Sequence, residues 1–82
     1  MINLNFDYLV EIVSDLSEVD PEVIKNSDLL EEGILDSMFI INLISLLENT
    51  YSISIEDSDI LPENFNNINS IFKLLKRYAN KN

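Results

Sequence analysis

The chain has 82 residues, 46% of them apolar, and carries 15 acids against five bases for a formal net charge of −10. That length allows one domain, expected to span residues 1–82, that buries only about 60–65% of its unfolded surface, and the apolar content argues against disorder. There is no cysteine and no histidine, which excludes disulfides, thiolate metal sites, most zinc chemistry and the usual general base.

The charge is unevenly placed. Fifteen acids against Lys25 alone give −14 over residues 1–72, and Lys73, Lys76, Arg77 and Lys81 give +4 over the last ten. Phosphates would be repelled, so nucleic-acid binding is not expected. A basic protein partner is the natural counterpart, although acidity also simply keeps a small domain soluble. The N-terminal Met1-Ile2-Asn3-Leu4-Asn5 has neither the basic region nor the long apolar core of a signal peptide. No run approaches the ~18 apolar residues of a membrane span. The expectation is a cytoplasmic monomer. One glycine and two prolines are few breakers for this length and favour helices joined by polar loops.

In chain order, residues 4–17 read as a first helix. Phe6, Leu9, Val10, Val13 and Leu16 share one face, with Asp7, Glu11 and Asp15 opposite. Asn3 or Asn5 caps its start. Residues 18–36 read as a long connection with two helix-start signals, each good for one turn at most. These are Asp20-Pro21 and Asp28 before Leu29-Leu30-Glu31-Glu32, with Gly33 as a left-handed stop. Val23, Ile24, Leu29 and Leu30 are expected to pin this connection to the core, and Ile34 and Leu35 to do so just before Ser37. A structured loop this long in so small a domain points to function.

Residues 37–51 form the second predicted helix, the most apolar of the chain. Ile40, Leu43, Ile44, Leu47 and Tyr51 share a face, and Asn42, Ser45, Glu48 and Asn49 centre on the other. Met38 and Ile41 fall on the polar side and Phe39 near the boundary. They form either a contact surface or a patch covered by the long loop. Ser52-Ile53-Ser54-Ile55 alternates like a strand but has no second strand to pair with, and reads as extended chain with Ile53 and Ile55 inward. A short turn and a short third helix follow, starting near Pro62 and anchored by Phe65. Residues 67–79 read as the last helix, capped by Asn66 or Asn67. Ile68, Ile71, Phe72, Leu75 and Tyr78 line one face, Leu74 lies at the edge, and Lys73, Lys76 and Arg77 gather at the end the macrodipole favours for cations. The expected fold is all-α: a four-helix bundle of three longer helices and one short helix, with a long loop between helices 1 and 2.

Catalytic groups are scarce. A nucleophilic serine would have to rely on a lysine, and outside the C-terminal helix and tail there is only Lys25. One glycine cannot make a phosphate-cradling loop. Asp28-Leu29-Leu30-Glu31-Glu32-Gly33 has Leu30 where a calcium loop needs a carboxylate, and Glu56-Asp57-Ser58-Asp59 lacks the glycine turn. The chain is therefore not expected to be an enzyme by itself. Ser37 stands apart. Asp36 and Ser37 are both good helix caps, which is a sufficient structural reason for the pair. They also open the most apolar helix, within an acidic loop, where a helix N-terminus favours an anion.

Gly33-Ile34-Leu35-Asp36-Ser37-Met38 resembles the Gly-x-Asp-Ser-Leu motif of the acyl and peptidyl carrier proteins, with one extra residue before Asp36 and Met38 in place of leucine. The upstream segment 28–33 and Leu61-Pro62-Glu63-Asn64-Phe65 add to the likeness, which covers about residues 4–79 and is closest to freestanding and D-alanyl carriers. The resemblance implies a 4′-phosphopantetheine arm on Ser37. Asp36 would help hold Mg²⁺ while a phosphopantetheinyl transferase moves the arm from coenzyme A. Met38, Phe39 and Ile41 would face partners. The cargo would be an acyl or aminoacyl thioester, loaded by a ligase or acyltransferase and passed to biosynthetic enzymes. Glu48 is the only acid on the second helix, where fatty-acid carriers usually have several, so a secondary-metabolite or D-alanylation pathway is favoured. The alternative is an acidic helical adaptor with no covalent cofactor.

Overall fold

Each helix in the chain begins where a side chain or a proline can satisfy or replace the first free amides. The computed structural model describes residues 4–79. The predicted cap at Asn3, the stretch Met1-Ile2-Asn3 and the base Lys81 lie outside them. Helix α1 spans Phe6–Ser17, and the Asn5 side chain accepts the Tyr8 amide at 3.0 Å. It ends on Glu18 in the left-handed region, with Val19 N–H returning to the Ser14 carbonyl. Helix α2 spans Pro21–Asn26, with Asp20 capping the Glu22 amide at 2.9 Å. Helix α3 spans Ser37–Tyr51, with the boundaries the sequence pattern predicts. A 3₁₀ turn at Asp57–Asp59 precedes the short α4, Pro62–Phe65. Helix α5 spans Ile68–Ala79, and of the two candidate caps it is Asn67 whose side-chain Oδ1 accepts the Ser70 amide, at 2.8 Å.

Helix α1 is the hub: it packs against α2, α3 and α5, while α4 lies on α5. Leu9, Val13, Ile24, Leu29, Leu43, Leu47, Phe65, Ile68 and Ile71 are wholly removed from solvent. They draw on every α-helix and on the α2–α3 loop, so one core ties the bundle together. Phe6 and Phe72 meet edge to face at 5.3 Å, and Lys76 lies over the Phe72 ring at 4.9 Å.

The all-α bundle stands as expected, but with five α-helices among the described residues rather than four, because α2 adds a second short helix, and no strand occurs among them. Four details differ. The Asp20-Pro21 signal opens a helix of six residues rather than one turn, because Ile24 plugs it into the core while Glu22 and Lys25 pair at 3.8 Å on its outer side. Val23 does not pin the connection; the short α2 lies against α1 and turns Ile24 into the core, which leaves Val23 on its outer side, 42% exposed. Ile12 and Leu74 belong to the core, because α1 and α5 are each covered from two sides, which widens their buried faces. In the extended segment Ile55 is buried but Ile53 only half so. That segment is held by the Glu48 carboxylate, which accepts the Ile55 amide at 2.8 Å.

Tyr51 closes the core end of α3, and its hydroxyl is buried with no hydrogen-bond partner. Burial, and secondarily the neighbouring Tyr8, push its phenol above the ordinary 10.0. Tyr78 is raised as well, first by burial and then by its bond to Asp59. The folded chain therefore holds these two protons more tightly than the unfolded chain. The stability they lend is full below the unfolded pKa and drains away as pH rises above about 10. Urea titrations across pH 8–11.5 should show that loss, and Tyr51→Phe should reduce it. At pH 7 Tyr51→Phe should match or exceed the wild type by up to about 1 kcal/mol, because it removes a buried hydroxyl that bonds to nothing.

Candidate functional site

The segment before α3 is built to present Ser37. Asp28 starts it: its Oδ1 accepts the amides of Leu30 at 3.1 Å and Glu31 at 2.9 Å. The Glu32 carboxylate reaches back to the Asp28 amide at 3.1 Å, so loop and acid cap one another in the manner of a capping box. Gly33 then takes φ +72, the left-handed stop that its sequence position predicts. Two backbone bonds fix the loop in space. The Leu29 amide donates to the Asn66 carbonyl at 2.7 Å, and the Leu35 amide donates to the Leu29 carbonyl at 2.8 Å. Leu29 and Leu35 are both buried and Leu30 and Ile34 are half-buried, so apolar anchors hold both ends of the loop.

Asp36 is the N-cap of α3, its Oδ1 accepting the Phe39 amide at 2.9 Å. Ser37 is the first helical residue and is exposed. The amides of Ser37 and Met38 belong to the helix's first turn, where no intrahelical carbonyl is available, and they point toward its positive end. Met38 is 73% exposed and Ile41 63%, so the long loop does not cover them. Phe39 is half-buried against the core and is the least available of the three predicted contact residues.

Beside Ser37 runs an open, mainly apolar groove of about 630 Å³. One side is Ser37, Ile40 and Ile41 of α3, and the other is Ile60, Leu61 and Pro62, with Phe65 behind. Ile60 and Leu61 are the residues that sequence reasoning did not place at the site. The available signal was an Ile-Leu pair directly before proline in an otherwise acidic loop. Glu31, Glu32 and Asp36 are exposed around the serine and make its surroundings negative. Among the described residues no three side chains gather as ligands for a metal ion. A cation held by the Asp36 carboxylate would need further ligands from another molecule.

A small helical bundle that presents a serine at the start of its most apolar helix, flanked by a capping aspartate and an apolar groove, has the outline of a carrier protein. Sequence comparison agrees. Residues 7–75 match the family described as the phosphopantetheine attachment site, and the chain belongs to that family. It is a phosphopantetheine carrier, with 4′-phosphopantetheine as its prosthetic group. Among curated relatives it is similar to the D-alanyl carrier protein of Streptococcus uberis, at 32% identity over 72 residues, covering 88% of this chain and 91% of that one. It is also similar to the D-alanyl carrier protein of Lactococcus lactis subsp. lactis, at 36% identity over 74 residues, covering 90% and 91%. The same protein of Streptococcus sanguinis matches at 33% over 63 residues, covering 77% and 80%. The family match disfavours the adaptor reading, in which nothing is carried covalently.

Gly33 can be tested for its conformation alone, because a Cβ built on it meets nothing within 4 Å. Gly33→Ala should cost about 1 kcal/mol in urea unfolding from the positive φ, and Gly33→Asn less, since asparagine tolerates that region.

Proposed function

We propose that this protein holds D-alanine or a similar aminoacyl group as a thioester on an arm attached to Ser37, and passes it between a loading ligase and an acceptor enzyme. The observation that carries the reading is the exposed Ser37 at the first position of α3, within the matched span 7–75. The cargo class rests on the relatives' description as D-alanyl carrier proteins. The low acidity of α3 fits it as well.

The residues around Ser37 suit a phosphodiester at its Oγ. The free amides of the first turn and the positive helix end favour an anion there, and the exposed position leaves room for a transferase to approach. When bound, the arm supplies a terminal thiol for thioester formation. The chain's own contribution is positional: Asp36 caps the helix that carries Ser37, and the Leu29–Asn66 and Leu35–Leu29 bonds hold that helix start in place. Asp36 has a second role in this reading. With Oδ1 on the Phe39 amide, its other oxygen is left to help hold Mg²⁺ against coenzyme A during arm transfer, the remaining ligands coming from the transferase. Met38 and Ile41 are the apolar contacts that a transferase, ligase or acceptor enzyme would meet, with Phe39 backing them from within. The chain itself performs no catalysis and works in the cytoplasm as a monomer. Among the described residues no helix is long and apolar enough to cross a membrane.

Incubation with a promiscuous phosphopantetheinyl transferase, Mg²⁺ and coenzyme A should add one phosphopantetheine mass to the wild type and none to Ser37→Ala. No gain in the wild type, or an equal gain in the variant, would refute the assignment. Asp36→Asn separates the two roles of that residue. Asparagine caps nearly as well as aspartate, so stability should stay within about 0.5 kcal/mol. The initial rate of arm transfer should fall by about tenfold or more if the carboxylate helps hold the metal.

A further inference from the structure

Nine residues, 56–64, join the buried Ile55 to the buried Phe65, and none of the nine is itself buried. Ile60 and Leu61 are 36% and 41% exposed. A connection without a buried apolar anchor has little burial energy to fix its position. Yet this one supplies Ile60, Leu61 and Pro62, a whole side of the groove beside Ser37.

Polar contacts hold it, and they converge on the far end of α5. The Tyr78 hydroxyl donates to Asp59 Oδ2 at 2.5 Å and accepts the Glu56 amide at 2.9 Å. The other Asp59 oxygen faces Arg77 at 3.5 Å, and the Asn64 side-chain amide donates to the Asp59 carbonyl at 2.7 Å. Within the segment, Ile60 N–H returns to Asp57 and Leu61 N–H to Asp59. The wall therefore rides on a turn whose tie to the bundle is centred on Asp59. The Arg77 pair is half in solvent and adds little. The Tyr78–Asp59 bond has an ionised acceptor and a nearly buried donor ring, which makes it the strong member.

We propose that Tyr78 is a positioning residue for the carrier site: through Asp59 and Glu56 it sets the Ile60–Leu61 wall against α3, and with it the apolar surface an enzyme meets at Ser37. The proposal rests on Ser37 as the loaded residue. Tyr78 touches neither the serine nor the groove; its effect reaches them through the 56–61 turn.

The test uses the full-length apo protein as wild type, Tyr78→Phe and Ser14→Ala. Ser14→Ala removes a hydrogen bond to the Val19 carbonyl at the end of α1 and serves as a destabilised comparison. Tyr78→Phe keeps the buried ring. It should speed amide hydrogen exchange at Glu56, Ile60 and Leu61 by about tenfold or more, and leave the α3 core amides of Leu43 and Leu47 within about twofold. In arm transfer by the promiscuous transferase, KM for the carrier should rise about threefold or more with kcat within about twofold. Ser14→Ala should change neither the local exchange nor KM. The proposal is overturned if exchange in Tyr78→Phe rises uniformly along the chain, if it does not rise at all, or if KM is unchanged. Should Tyr78→Phe not fold, Asp59→Asn weakens the same bond with the ring in place, and the same pattern is required of it. Failure of the Ser37 assignment looks different. The wild type then gains no arm, and the positioning role falls with it, while a local change in exchange would persist as a purely structural clamp.

Discussion

Everything at the serine end of the molecule depends on one short ladder of backbone bonds. Asn66, between α4 and α5, accepts the Leu29 amide, and Leu29 in turn accepts the Leu35 amide. The ladder passes from the last third of the chain into the connection and ends two residues before Ser37. Both leucines are buried, so water does not compete for these bonds. A serine at the tip of a free loop would sample many orientations. Here it opens a helix whose preceding turn is fastened to the junction between α4 and α5. That is how a connection of ten residues between α2 and α3 becomes a rigid platform without regular secondary structure through most of its length.

Most of this design is written locally. The caps at Asn5, Asp20 and Asp36, the prolines at the starts of α2 and α4, and the glycine stop at Gly33 are all signals within three or four residues of the feature they produce, and they are legible in the sequence. So is the pair Asp36-Ser37 at the opening of α3. Long-range contacts are the part that a linear reading lacks. Nothing near Leu29 announces Asn66, and nothing near Asp59 announces Tyr78, 19 residues away. For the same reason Ile60 and Leu61 read only as part of the short turn before the third predicted helix, not as a wall of the groove. The misplacement of Val23 has another origin. Both members of the Val23-Ile24 pair read as inward from their apolar character, but how wide a face a helix buries depends on its neighbours, and the six-residue α2 turns only Ile24 into the core.

The acidic charge is likewise divided by role. Asp20, Asp28 and Asp36 serve as caps, Glu32 closes the loop back on Asp28, and Asp59 receives the Tyr78 hydroxyl. These carboxylates are structural as well as charged. Toward a basic partner of the kind the composition suggests, the remaining surface acids would supply long-range attraction, which speeds encounter more than it tightens a final complex. A carrier that visits several enzymes in turn is served by fast arrival and easy release.

Glu48 has a consequence of its own. It is the only acid on α3, and its carboxylate is turned to the Ile55 amide. Every exposed residue of that helix, from Ser37 through Thr50, is therefore uncharged. The acids near the serine lie in the loop and at Asp36, and the exposed positions of the helix carry none. If partners dock on Met38 and Ile41 as proposed, raising ionic strength should slow the approach yet barely loosen the seated complex, because salt does not screen apolar contacts.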